Sequence, residues 1–255
     1  VFVNVLRDAF ARDRADSDLL LPRVGLSRLF PQPAAEFLRQ RGSTLLCGQR
    51  VTRLEPALAG WRVFTARDAG EFGQVVCALP PPRAAQLLET LPALGEMVTD
   101  LRQLDHEPIY TVYLRYRDPV RLEAPMVGLG EGPGQWVFDR GPLTDASSLL
   151  AVVISARGPH EALDHARLGQ AVAHQLCQVL GICVAPRDVW VIAEKRATFA
   201  CTPNLARPGP RTPLPGLFLA GDWVAGATRE ADYPATIEAA VRSGVQCARH
   251  ILECR

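Results

Sequence analysis

Lysine is nearly missing: Lys195 is the single one among 28 basic residues, which face 27 acidic ones. The arginines are scattered, so no net field steers the chain toward nucleic acid and none is expected as a partner. No CxxC pair occurs among the seven cysteines, at 47, 77, 177, 183, 201, 247 and 254. That odd, unpaired spacing fits neither a zinc site nor a disulfide framework, and the expectation is reduced thiols in a cytoplasmic protein. No run of about eighteen apolar residues is present, the best stretch being 149–156, which excludes a membrane-spanning helix by length. A GxSxG elbow is absent too, which removes the usual hydrolase reading. The chain opens on Val1 rather than Met, and 1–10 reads as an apolar helix rather than a signal peptide. The expectation is a piece of a longer chain, with an N-terminal segment as its missing partner.

What is present suffices for a folded core: 255 residues, 48% hydrophobic and 22% charged. After the first helix, prolines break 20–33, a second helix is predicted over 34–41, and Gly42 stops it. The period then changes, and 44–47, 50–54, 61–65 and 74–79 read as strands between Gly, Pro and Asp. Three prolines at 80–82 end that run, and 83–91 resumes helical spacing. A second sheet is predicted from 109–114, 136–138 and 149–155, followed by a helix of about six turns over 159–181. Residues 189–199 read as extended, 201–215 as irregular, 217–220 as a last strand and 234–252 as a last helix. Helices and strands come in blocks without an internal repeat, which suggests two lobes that share one crossing chain.

The segment Pro215 to Asp222, PGLFLAGD, reads as a short buried strand ending in Gly221 and Asp222. In an open α/β sheet, ligands collect outside the carboxyl ends of strands, where glycine admits a pyrophosphate and an acid can bind sugar hydroxyls. Twelve residues on, Pro234, Ala235 and Thr236 open a small-residue helix, with Pro234 predicted at its first position. The free N–H groups and positive end of such a helix suit an electron-rich edge, such as N1 and C2=O of a reduced flavin.

Strand, Gly-Asp, loop, Pro-Ala-Thr and a helix running to Arg242-Ser243-Gly244 together resemble the C-terminal flavin motif of the amine oxidase and phytoene desaturase superfamily. Within it, SDLLLPR at 17–23, LFP at 29–31 and EKRATF at 194–199 with Thr202-Pro203 are similar to the hydroxysqualene dehydroxylases, or squalene-associated FAD-dependent desaturases. That similarity runs over nearly the whole chain. It implies a mixed α/β fold of α+β character: a partial FAD/NAD(P)-binding, Rossmann-like domain plus a substrate domain with a mixed or antiparallel sheet and helices. The expected division is 42–79 and 197–255 for the FAD domain, with 1–41 and 80–196 for the substrate domain. The resemblance also implies FAD as cofactor, with Gly221 and Asp222 approaching the pyrophosphate and ribityl chain. Pro234, Ala235 and Thr236 would open the helix beside the isoalloxazine, and Val51 would pair through its backbone with adenine. The loop 223–233 is longer than the usual version of the motif. The N-terminal GxGxxG is absent: Gly128 to Gly134 offers glycines, but the third required one falls on Pro133 or Gln135, and a turn is expected.

Histidines 160 and 165 flank Glu161, five residues apart. On a helix that spacing sets them about 140° from each other, so no shared metal is expected and the segment reads as a solvated helix start. By the same resemblance the substrate is an apolar isoprenoid, hydroxysqualene reduced to squalene in hopanoid biosynthesis, with peripheral membrane contact as a further expectation. Glu194, Lys195 and Arg196 are the candidate catalytic polar groups. Desaturation of a polyene, amine oxidation, or a silent piece unable to hold FAD stay open as alternatives.

Overall fold

A computed structural model describes residues 1–141, 148–228 and 231–253. In chain order its helices are α1 (Phe2–Phe10), α2 (Leu26–Leu29), α3 (Pro31–Gln40), α4 (Pro81–Leu88), α5 (Gly95–Gln103), α6 (His165–Leu180) and α7 (Ile237–Glu253). The strands are β1 (Val51–Ala57), β2 (Gly60–Thr65), β3 (Ala69–Phe72), β4 (Val75–Cys77), β5 (His106–Arg115), β6 (Met126–Gly128), β7 (Trp136–Asp139), β8 (Leu149–Ser155), β9 (Asp188–Phe199) and β10 (Leu217–Leu219). Packing divides the chain into two units: 1–20 with 44–105 and 199–255, and 21–43 with 106–198. These limits differ from the expected domain limits at 1–20 and 80–105, where α1, α4 and α5 belong to the first unit.

The first unit holds an antiparallel sheet, β1-β2-β3, and a two-stranded parallel sheet in which β10 runs beside β4. A two-residue turn joins β1 to β2. It needs Gly60, whose φ is +141° and where a Cβ would lie 2.3 Å from the Phe72 carbonyl oxygen. Leu54 and Trp61 from the meander, Ala84 and Leu88 from α4, Leu101 from α5 and Leu219 from β10 form one buried cluster. Trp61 also donates from Nε1 to the Pro215 carbonyl at 2.9 Å, tying the meander to the entry of β10.

The second unit is a sheet of order β6-β7-β8-β5-β9 with α6 packed on it. Alternation in β5 meets a nearly continuous apolar run in β8: Tyr110, Val112 and Leu114 of β5 are buried on the same side as Leu150, Val152 and Ile154 of β8, against Leu168, Val172 and Leu176 of α6. The expected turn at 128–134 joins β6 to β7. Gln175, buried on α6, closes it by accepting from the Gly134 N–H and donating to the carbonyls of Glu131 and Gly134.

Several expectations are corrected. Residues 44–47 are exposed and form no strand, because they find no partner strand among the described residues, whereas 69–72, with too little alternation to read, does. The helix predicted over 159–181 is a 3-10 turn, Pro159–Ala162, then α6; Asp164 caps α6 by accepting from the Arg167 N–H at 2.8 Å. His160 is buried in that turn, edge-on to Tyr110 at 4.9 Å, rather than solvated. Cys177 and Cys183 form a disulfide, with Cα atoms 4.3 Å apart. Gly181 takes the left-handed conformation after α6 and reverses the chain, and that reversal brings the two sulfurs together. Cys47, Cys77, Cys201 and Cys247 are free; Cys254 lies outside the described residues.

Candidate functional site

Everything at the carboxyl end of β10 converges on a few residues. The Ala220 N–H donates to the Cys77 carbonyl at 3.1 Å, so both parallel strands end level. Gly221 follows with φ +152°, and a Cβ there would meet the Trp223 ring at 2.5 Å; only glycine lets the chain turn so closely over the indole. Its N–H donates to Ser243 Oγ at 2.8 Å, fastening the strand end to α7. Trp223 is buried and donates from Nε1 to the Leu79 carbonyl at 3.1 Å, which joins the ends of β10 and β4.

The return from Asp222 to α7 is held by charge. Asp232 Oδ1 accepts from the Gly226 N–H at 2.7 Å and pairs with Arg207 Nη2 at 2.8 Å. Asn4 of α1 donates to the Asp232 carbonyl at 2.7 Å, and the buried Tyr233 donates its phenol to Asp8, also of α1. Arg242 of α7 lies 4.4 Å from the Tyr233 ring and 3.5 Å from Asp8. The Tyr233 hydrogen bond, helped by Arg242, holds the Asp8 carboxyl below its ordinary pKa, and the same bond raises the Tyr233 phenol.

Pro234, the expected first helical residue, precedes α7 instead. The helix begins at Ile237, and Thr236 is its cap: its Oγ1 accepts from the Ala239 N–H at 3.1 Å while its carbonyl accepts from Ala240. A side chain that can accept a hydrogen bond wins the capping position over a ring that merely fixes φ. Ala235 packs against the main core of the unit. A cavity of about 370 Å³ opens here, lined among others by Asp222, Gly226, Tyr233 and Arg242.

Val51 stands at the start of β1, opposite Thr65 of β2. It lines a second, larger cavity of about 780 Å³ with Val63, Cys77, Ala78 and Leu79. Leu79 is common to both regions, since its carbonyl carries the Trp223 bond. Burial raises the Cys77 thiol above its ordinary pKa and keeps it protonated.

Glu194, Lys195 and Arg196 lie on β9 in the other unit, exposed at a sheet edge, where the Arg196 N–H donates to Glu194 Oε1 at 3.1 Å. The structure thus brings Gly221, Asp222, Ala235 and Thr236 together with Val51 in one unit. Arg207 and Asp8 are members of this arrangement that no motif signalled, while Ser243 lies within the motif and Tyr233 at the end of its loop. Among the described residues no group of three or more His, Cys, Asp or Glu could hold a metal ion, and no helix is long and apolar enough to cross a membrane.

The flavin containing amine oxidoreductase family matches residues 7–252 of the chain. A hydroxysqualene dehydroxylase of Rhodopseudomonas palustris is 32% identical over 240 residues, covering 91% of this chain and 52% of its own length. One from Sinorhizobium fredii is 30% identical over 238 residues, covering 90% and 51%. The chain spans about half the length of the curated relatives it matches. Among solved structures, the cyclohexylamine oxidase of Brevibacterium oxydans aligns with a TM-score of 0.63 and 15% identity over 90% of this chain and 52% of that one. Wild-type putrescine oxidase bound to putrescine gives 0.62 and 16% over 88% and 53%. The mixed helix-and-sheet fold expected from the sequence is observed, and it is the fold of these amine oxidases.

Proposed function

Given that the chain belongs to the family of flavin containing amine oxidoreductases, we propose that the intact protein holds FAD and reductively removes the hydroxyl of hydroxysqualene to give squalene. The observation that carries the cofactor reading is the turn after β10, where Asp222 follows a left-handed glycine packed over Trp223 and lines an open cavity at the carboxyl end of a parallel strand. Gly221 and Asp222 would take the pyrophosphate and ribityl chain, Ala235 and Thr236 the isoalloxazine edge, and Val51 the adenine. The expected domain roles follow, with 42–79 and 197–255 on the cofactor side and 1–41 and 80–196 on the substrate side. The substrate reading rests on the names of the relatives at 28–32% identity.

Bound there in reduced form, the flavin would supply hydride to the carbon that loses its oxygen. The chain's own residues have three tasks. The cap at Thr236 fixes the first turn of α7, whose remaining N–H groups and positive end would suit electron-rich ring atoms. The buried Trp223 and Ala235, packed on the core, would keep water from a ring held there. A polar group must help the departing oxygen, and Glu194, Lys195 and Arg196 are the candidates for that task. The exposed apolar residues Phe2, Phe10, Leu19 and Leu20 suit delivery of a greasy substrate from a membrane surface.

The complete gene product, purified and examined by visible absorption, should show a two-band flavin spectrum. Incubated with hydroxysqualene under reducing conditions, it should yield squalene by mass spectrometry. A product with added double bonds would instead mark a desaturase, and an aldehyde from an amine would mark an amine oxidase. A colourless protein that takes up no FAD would sink the cofactor reading.

A further inference from the structure

We infer that Arg207 is the positioning residue of the candidate site, one buried guanidinium that sets the distance between Gly221-Asp222 and the start of α7. It stands in a proline-rich stretch outside every motif, yet its side chain is only 5% exposed. Its contacts are few and specific. Nη2 pairs with Asp232 Oδ1 at 2.8 Å, and Nη1 donates to the carbonyls of Asp222 at 3.4 Å and Tyr233 at 3.5 Å. The guanidinium carbon lies 5.1 Å from the centre of the Phe199 ring.

These acceptors are not a random set. Asp222 is the first residue after the glycine that ends β10, and Tyr233 is the last before Pro234, Ala235 and Thr236. Arg207 therefore grips both ends of the return segment at once, and through Asp232 it also holds the carboxylate that accepts from Gly226. A planar fork with five donors can span such acceptors; an ammonium cannot hold the same three in one geometry. A charge this buried persists only while its partners stay in place, so displacement of either end is opposed by the other.

The cofactor part of this inference rests on the FAD reading above, and the experiment separates the two. In the complete protein, amide hydrogen exchange is followed for Arg207→Met, Arg207→Lys, Asp232→Asn and the double variant Arg207→Met/Asp232→Asn, with FAD dissociation constants measured in parallel. Arg207→Met and Asp232→Asn should each speed exchange of the amides at 222–226 and 233–239 by about tenfold, with β5 and β8 unchanged. The double variant should be no worse than the worse single one, and Arg207→Lys should fall between wild type and Arg207→Met. FAD affinity should fall about tenfold in step with the exchange. Loop exchange at the wild-type rate in Asp232→Asn and Arg207→Lys would overturn the assignment, as would effects that simply add in the double variant. Exchange that rises equally throughout the unit would overturn it as well. If Arg207→Met fails to fold, the Lys and Asn variants carry the same decision. A wild-type protein that binds no FAD removes the functional reading alone, because the exchange pattern still judges Arg207.

Discussion

In the five-stranded sheet the inward positions of β5 and β8 are apolar, and α6 lays Leu168, Val172 and Leu176 across them. The two-stranded sheet under the candidate site is buried too, with Leu217 and Leu219 packed among Leu54, Leu88 and Trp223, but it has two strands where the other has five. It is short, and its functional end is fastened by single polar contacts: Gly221 to Ser243, Trp223 to Leu79, Arg207 to Asp232. Apolar packing is shared among many neighbours and tolerates the loss of one direction, whereas a hydrogen bond fixes one geometry and fails as a unit. The difference teaches that apolar cores supply stability in both units, while polar contacts at the strand ends supply placement at the candidate site.

The comparison breaks or sharpens under substitution. Leu176→Ala, at a fully buried position, should cost about 3 kcal/mol in urea denaturation followed by circular dichroism, while leaving local exchange around Gly221 unchanged. Ser243→Ala strands the Gly221 N–H and should cost about 2 kcal/mol, read mainly as faster exchange at 220–224. Were Ser243→Ala to loosen β5 and β8 instead, the proposed division of labour would be wrong. Thr236→Ala removes the cap of α7 and should cost about 1 kcal/mol, visible as fraying of the amides at 237–240. Alanine at Glu194 or Arg196, both exposed, should change stability by less than about 0.5 kcal/mol. Unchanged turnover in those variants of the complete enzyme would dismiss a catalytic part for them.

Titration gives the smallest signal. Asp8 has a lowered pKa in the folded state, so its contribution is present above the unfolded value of about 3.9 and is lost as pH falls through the lower folded value. Tyr233 has a raised one, so the stability it lends is full below about 10 and is lost as pH rises through the folded value. The contact between α1 and the return segment is therefore bounded on both sides. NMR titration of Asp8 and ultraviolet titration of Tyr233 should show these displacements, and Tyr233→Phe should return Asp8 toward its ordinary value.

Much of the architecture was legible because it is periodic. The alternation of β5, the apolar run of β8, the punctuation at Gly42 and Gly181, and the strand ending in Gly221 each announce themselves over neighbouring residues. The start of α7 was misplaced by three residues because Pro234 and Thr236 both suit a helix entrance, and the sequence does not say which one carries the cap. The Cys177–Cys183 bridge depends on a reversal at Gly181, so the spacing alone looks like none of the known patterns. Arg207 and Asp8 were invisible for a deeper reason. Each acts on groups more than ten residues away, with no local pattern to betray it, and Asp8 meets Tyr233 across 225 positions.

The pairing of Val75 with Leu217 has a temporal meaning as well as a spatial one. The two partners are separated by most of the chain, so closing that loop costs entropy before any contact repays it. During synthesis β4 leaves the ribosome with its neighbour still unmade, and at about 5–20 residues per second it waits on the order of ten seconds. The intervening sheet, all of whose strands lie between β4 and β10 in the chain, can complete itself in that interval. The pair of β4 and β10 then matures after that sheet, and until it does the nascent protein carries an open strand edge that a chaperone, or another chain, could reach first.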